Sequence, residues 1–206
     1  SRTAVSQRLW PEVISHGRRL ARIPWVRMVA VSGSMAVSAA RDGDDIDLFI
    51  VTDEGRLWLS RALTIAAGKL SSRGRSTLCP NYLVTHSRIE LDQRDLYTAH
   101  ELVQLVPLFG AETYAALLAR NQWYRDFLPN HRGFTGTIPA RSGLRTLPRT
   151  RPPLRGGLLS RAEKWEMDRK VARLSRAGLT AETRFDGSMC KGHFDGHRQR
   201  FWSAFD

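Results

Sequence analysis

The stretch that most constrains the fold is residues 31–51, "VSGSMAVSAARDGDDIDLFIV". An apolar run ends in Gly33-Ser34, and twelve residues after Gly33 come Asp45, Ile46 and Asp47, followed by a second apolar run. A strand has a side-chain period of two, so Asp45 and Asp47 are expected on one face and Ile46 on the other. Two adjacent carboxylates repel each other and lose hydration on burial unless a positive charge neutralises them. A divalent cation does this well, and Mg²⁺ takes one or two carboxylates together with phosphate oxygens. Glycine admits close approach of a phosphate to the backbone, and Ser34 is expected at a helix N-terminus that favours anions. The spacing thus points to a triphosphate at Gly33 and Ser34 beside a metal at Asp45 and Asp47. Taken alone, a Gly-Ser pair reads as a turn and an Asp-x-Asp as a strand end; the order and spacing together carry the site.

The flanking pattern is strand, short helix, strand, helix, strand. Residues 26–32 read as the first strand, "MAVSAA" as a short helix and "DIDLFIVT" as a strand buried on both faces. Asp53 reads as an N-cap, and residues 55–72 as a helix with Leu57, Leu63 and Leu70 turned inward. Residues 77–85 give a third strand. Residues 5–22 look helical with an interruption at Pro11, and from Asp95 two amphipathic helices are expected over 96–106 and 111–128. The fold class expected is α/β, in the mixed α+β sense: a mixed sheet with flanking helices and a mainly helical C-terminal region. The expected division is a core over 1–95 and a helical region over 96–206, interrupted by a basic loop at 128–162. That loop holds seven Arg, five Pro, five Gly and no acidic residue. Such composition resists forming a packed core and suits a linker, a lid or a phosphate-backbone contact.

The motif resembles the nucleotidyltransferase superfamily of the DNA polymerase beta type, especially its minimal bacterial members. There a Gly-Ser turn is followed, after a short spacer, by Asp-x-Asp on the next strand. The resemblance covers residues 26–95, and the residues that carry it are Gly33, Ser34, Asp45 and Asp47. It implies a mixed sheet, Mg²⁺ and nucleoside triphosphate binding, and transfer of a nucleoside monophosphate to an acceptor hydroxyl with release of pyrophosphate. Asp45 and Asp47 would be catalytic metal ligands, and Gly33 and Ser34 would hold the nucleotide. Family members that are active carry a third carboxylate on a later strand. In the strand best placed for it stands Asn81, a neutral group that cannot act as a base. Glu90, between Ile89 and Leu91, would complete the catalytic set if its segment forms the strand, with Asp92 and Asp95 as further candidates. Asn81 would then contact the nucleotide. A site with two carboxylates alone would be slow, or would bind nucleotide or nucleic acid without turnover.

The chain carries 32 Lys and Arg against 20 Asp and Glu, a formal charge of +12. An excess of this size attracts polyanions, which makes RNA or tRNA an expected acceptor or partner; a solvated basic face is the plainer reading. A protein hydroxyl or a small molecule remains open as acceptor, and so does a protein partner. No stretch is apolar enough for a membrane span and the first residues lack a secretion-signal core, so a cytoplasmic globular protein is expected. Two cysteines make no disulfide framework. Cys190, His193 and His197 have the spacing C-x₂-H-x₃-H, but a structural zinc site needs four ligands, and surface roles are the plainer reading.

Overall fold

A computed structural model of the chain describes residues 1–71, 78–135, 156–176 and 183–192. The elements run α1 (Arg2–Leu20), β1 (Val26–Val31), α2 (Gly33–Ala36), β2 (Ile46–Thr52), α3 (Leu57–Ser71) and β3 (Leu78–Thr85). They continue through α4 (Leu96–Val103), β4 (Val106–Phe109), α5 (Ala111–Arg120), α6 (Tyr124–Phe127), α7 (Gly157–Arg176), β5 (Arg184–Phe185) and β6 (Met189–Lys191). The strands form one six-stranded sheet in the order β4-β1-β2-β3-β6-β5. Only β2 and β3 are parallel, joined by the α3 crossover; the other neighbours are antiparallel. The chain therefore has the expected mixed sheet flanked by helices.

The period of two along β2 divides the core. Ile46, Leu48 and Ile50 join one cluster with Trp10 and Val13 of α1 and Leu57 and Trp58 of α3, and α7 lays Leu159, Met167 and Val171 against the same face. Phe49 and Val51 point the other way, into a cluster with Ala99 and Leu102 of α4, Leu117 of α5 and Tyr124 of α6. The sheet is thus covered on both faces, which is why its central strands read as unbroken apolar runs.

Several expectations are corrected. The helix expected over 96–106 stops at Val103, and Val106 opens a strand, β4, paired with β1. Pro107 cannot donate to a ladder, yet an edge strand tolerates it. The helix expected over 111–128 breaks at Asn121 into α5 and α6. Conversely, α1 runs unbroken through Pro11, because Trp10, Val13, Ile14 and Leu20 are buried and their packing outweighs one lost backbone bond. On α3, Leu63 is 42% exposed; it lies six residues from Leu57, roughly 120° round the helix and off the buried face, and Ser60 and Thr64 are buried instead. Asp53 sits four residues ahead of α3 and pairs with Arg27 at 2.7 Å. The sheet also crosses the expected border at residue 95, since β4, β5 and β6 all come from the second half. Of the basic loop, residues 136–155 lie outside the described residues. Among the described residues no helix is long and apolar enough to cross a membrane.

Candidate functional site

The site lies where β1 ends and β2 begins. Ser32 donates its backbone N–H to the Asp47 carbonyl at 3.0 Å. The chain then turns at Gly33 with φ +63°, a left-handed conformation. A Cβ at Gly33 would fall 2.5 Å from Asp47 Oδ2, so only a bare backbone leaves the carboxylate its place. The elbow and the acid expected beside it are therefore in contact. The helix expected over "MAVSAA" is instead the single turn α2, too short for a helix dipole to matter. What the elbow offers an anion is uncovered backbone. Ser34 Oγ donates to Asp44 Oδ2 at 3.2 Å, and that oxygen also accepts the Arg41 backbone N–H at 2.8 Å. Asp44 thus ties the elbow to the loop that leads into β2.

Asp45 is exposed and immediately precedes β2; Asp47 is half-buried on it and shares its face with Phe49 and Val51. In the parallel ladder Asp47 stands opposite Cys79. Burial pushes the Cys79 thiol up to about 12, the negative charges of Asp47 and Asp45 push the same way, and Arg61 opposes them. The protonated thiol hydrogen-bonds Asp47. Both carboxylates therefore act on one sulfur atom.

The remaining expected residues are placed differently. The register slips between Leu48 and Phe49, so that Leu48 faces Pro80 and Phe49 faces Tyr82, leaving Asn81 in the bulge. Asn81 reaches the site all the same, because it lines a narrow slot with Ser32, Phe49, Tyr82, Glu101 and Lys191. Glu90 is a correction. The strand it was to extend ends at Thr85, a 3-10 turn follows, and Glu90 is an exposed partner of Arg94 at 2.9 Å. Asp92 pairs with Arg184 at 2.6 Å, and Asp95 caps α4 by accepting the Thr98 N–H at 2.8 Å. The group that faces Asp47 is Cys79, which sequence reasoning missed. A usable signal existed: parallel strands that start together align their second residues, and these are Asp47 and Cys79.

The slot adjoins the acids. Phe49, its floor, is the next residue after Asp47 on the same sheet face. Phe49 and Tyr82 meet edge-to-face with centroids 4.9 Å apart. The Lys191 ammonium lies 5.4 Å from the Tyr82 ring centroid and donates to Gln93 Oε1. Burial raises the pKa of the Tyr82 phenol, and the charges of Glu101 and Asp92 reinforce this.

Among the described residues no three His, Cys, Asp or Glu side chains converge as a ready-made metal cage. Asp45 and Asp47 with the exposed elbow suit a hard cation whose other ligands are phosphate oxygens and water. Cys190 is buried in β6, while His193 and His197 lie outside the described residues. No family model, curated protein or solved structure matches the chain.

Proposed function

We propose that the chain is a Mg²⁺-dependent nucleotidyltransferase. The single observation that carries this reading is the contact of Gly33 with Asp47, which puts an uncovered backbone turn against a carboxylate. Asp45 and Asp47 would hold the ion. When bound, Mg²⁺ offsets the carboxylate charges and those of the triphosphate, and favours in-line displacement. Gly33 lets the triphosphate approach the backbone, and Cys79 orients Asp47 through its hydrogen bond. The slot beside Phe49 and Tyr82 holds only about 20 Å³ of free space, so it would have to open to take the nucleoside, with Asn81, Glu101 and Lys191 as polar contacts. An acceptor hydroxyl oxygen bonds to the α-phosphorus, the bond to the bridging oxygen breaks, pyrophosphate leaves and the hydroxyl proton passes to solvent. The charge of +12 favours RNA as the acceptor.

A second reading, nucleotide binding without turnover, is favoured by Cys79. A neutral thiol faces Asp47, and Glu90 is engaged elsewhere by Arg94. Incubation with each α-labelled nucleoside triphosphate, Mg²⁺ and RNA decides between the two. Label transfer that is lost in Asp45→Ala and Asp47→Ala proteins supports the transferase. Saturable nucleotide binding without transfer supports the second reading, and no binding of any nucleotide removes both.

A further inference from the structure

The two sides of α7 are unlike. Leu159, Met167 and Val171 pack against the sheet, and Glu163 and Glu166 are buried on the same side. The outward side carries Leu158, Arg161, Trp165, Arg169, Ala172 and Arg176, each of them exposed. Spacings of three and four residues keep these side chains in one line along the helix. The line is about 27 Å long at the rise of an α-helix. Within it Leu158 is 80% and Trp165 64% exposed, so core packing does not account for the indole. The Arg169 guanidinium lies 5.1 Å from the Trp165 ring centroid, and its Nε donates to Glu166 Oε2 at 2.9 Å. An ion pair thus anchors the cation that rests on the ring. Arg161, one turn before Trp165, and Arg176 form no ion pair among the described residues.

Cations that alternate with an exposed aromatic ring match a single nucleic-acid strand, whose phosphates meet the guanidiniums while an unpaired base stacks on the ring. A duplex offers the phosphates but keeps its base faces inside. A membrane surface fits less well. A helix lying in the bilayer interface buries a broad apolar face, and that face of α7 is already packed on the sheet. We propose that the outward line of α7 docks single-stranded RNA through Arg161, Trp165 and Arg176. The choice of RNA over DNA rests on the acceptor reading above; the docking itself needs neither the elbow nor a metal. α7 covers the sheet face opposite the one that Asp47 shares with Phe49, so the line would hold the body of an RNA rather than a reacting end.

Fluorescence anisotropy of a labelled oligouridylate, titrated with the full chain in EDTA, tests this. Trp165→Ala should weaken binding about tenfold, the loss of one stacked base. Arg161→Gln with Arg176→Gln should flatten the slope of log K against log salt by about 1.4, two phosphate contacts of a single strand. Arg125→Gln removes an exposed cation from α6, on the other side of the sheet, and should change binding little. Equal losses in Arg125→Gln and Arg161→Gln would reduce the attraction to net charge and overturn the proposal. So would unchanged binding in Trp165→Ala, displacement of the RNA by poly-glutamate at equal charge, tighter binding of the corresponding DNA strand, or binding of anionic phospholipid vesicles in place of RNA. Asp47→Ala should keep the RNA affinity, and Trp165→Ala should keep nucleotide binding. Failure of the transferase reading is thereby told apart from failure of this surface.

Discussion

Gly33 and Asp47 constrain each other. The left-handed φ of Gly33 and the 2.5 Å left for a Cβ mean that Gly33→Ala must strain the backbone, displace the carboxylate, or both. Strain of this kind costs about 1–3 kcal/mol. The variant should lose roughly that much stability in urea unfolding and, on the proposed function, should also lose nucleotide binding. Full binding in Gly33→Ala would mean that the elbow does not serve the triphosphate. At this scale the sequence was informative for the approach of Gly33 to Asp47, whereas Asp45, expected on the strand with Asp47, lies just ahead of β2. The sequence misled where a one-residue slip intervened. Asp47 faces Cys79 as the strand starts dictate, but the slip after Leu48 leaves Asn81 in a bulge instead of opposite a β2 residue, and the isolated β3 sequence contains nothing that announces the slip.

Elements are held by contacts that no local pattern reveals. The first turn of α3 is held from far along the chain: both oxygens of Glu163, 105 and 104 residues later, accept the Trp58 and Leu59 backbone N–H groups at 2.8 and 2.9 Å. A carboxylate there also meets the positive end of the helix. Glu163→Ala should cost about 1–2 kcal/mol, the range of a lost N-cap, measured by chemical denaturation. No loss would show that water caps α3 equally well. Asn121 is fully buried and ends α5. Its Oδ1 accepts the Leu91 N–H at 2.8 Å and the Trp123 indole N–H at 3.1 Å, while its Nδ2 donates to the carbonyls of Ile89 and Leu117, both at 2.7 Å. Asn121→Ala strands several buried partners and should cost about 3 kcal/mol or more. The long apolar elements were legible in sequence because burial on both faces writes itself as composition. Four-residue β4 and the two short strands near the C-terminus were not, because each forms only by pairing with a strand already in place.

For the whole molecule, the nature of the basic excess decides what pH does. Nearly all 32 basic residues are Arg, which keep their charge far above neutrality, so raising the pH does little to relieve self-repulsion. The buried thiols then act without compensation. Cys79 is pushed up to about 12 and Cys190 to about 11 from an ordinary 9.0, chiefly by burial. Below pH 9 both are protonated whether the chain is folded or not, and their contribution is fully present. Between pH 9 and 11 the unfolded chain releases two protons that the folded chain retains, so stability falls with rising pH. The Tyr82 and Tyr114 phenols, also shifted upward, extend the fall in the same direction. Unfolding free energy from urea titrations should drop between pH 8 and pH 10 by on the order of 2 kcal/mol more in the native chain than in a Cys79→Ala, Cys190→Ala protein. Equal drops in the two proteins would mean that the thiols ionise as readily folded as unfolded. The hydrogen bond that Cys79 gives Asp47 would then be absent, and with it the arrangement by which a neutral group holds the site carboxylate in position.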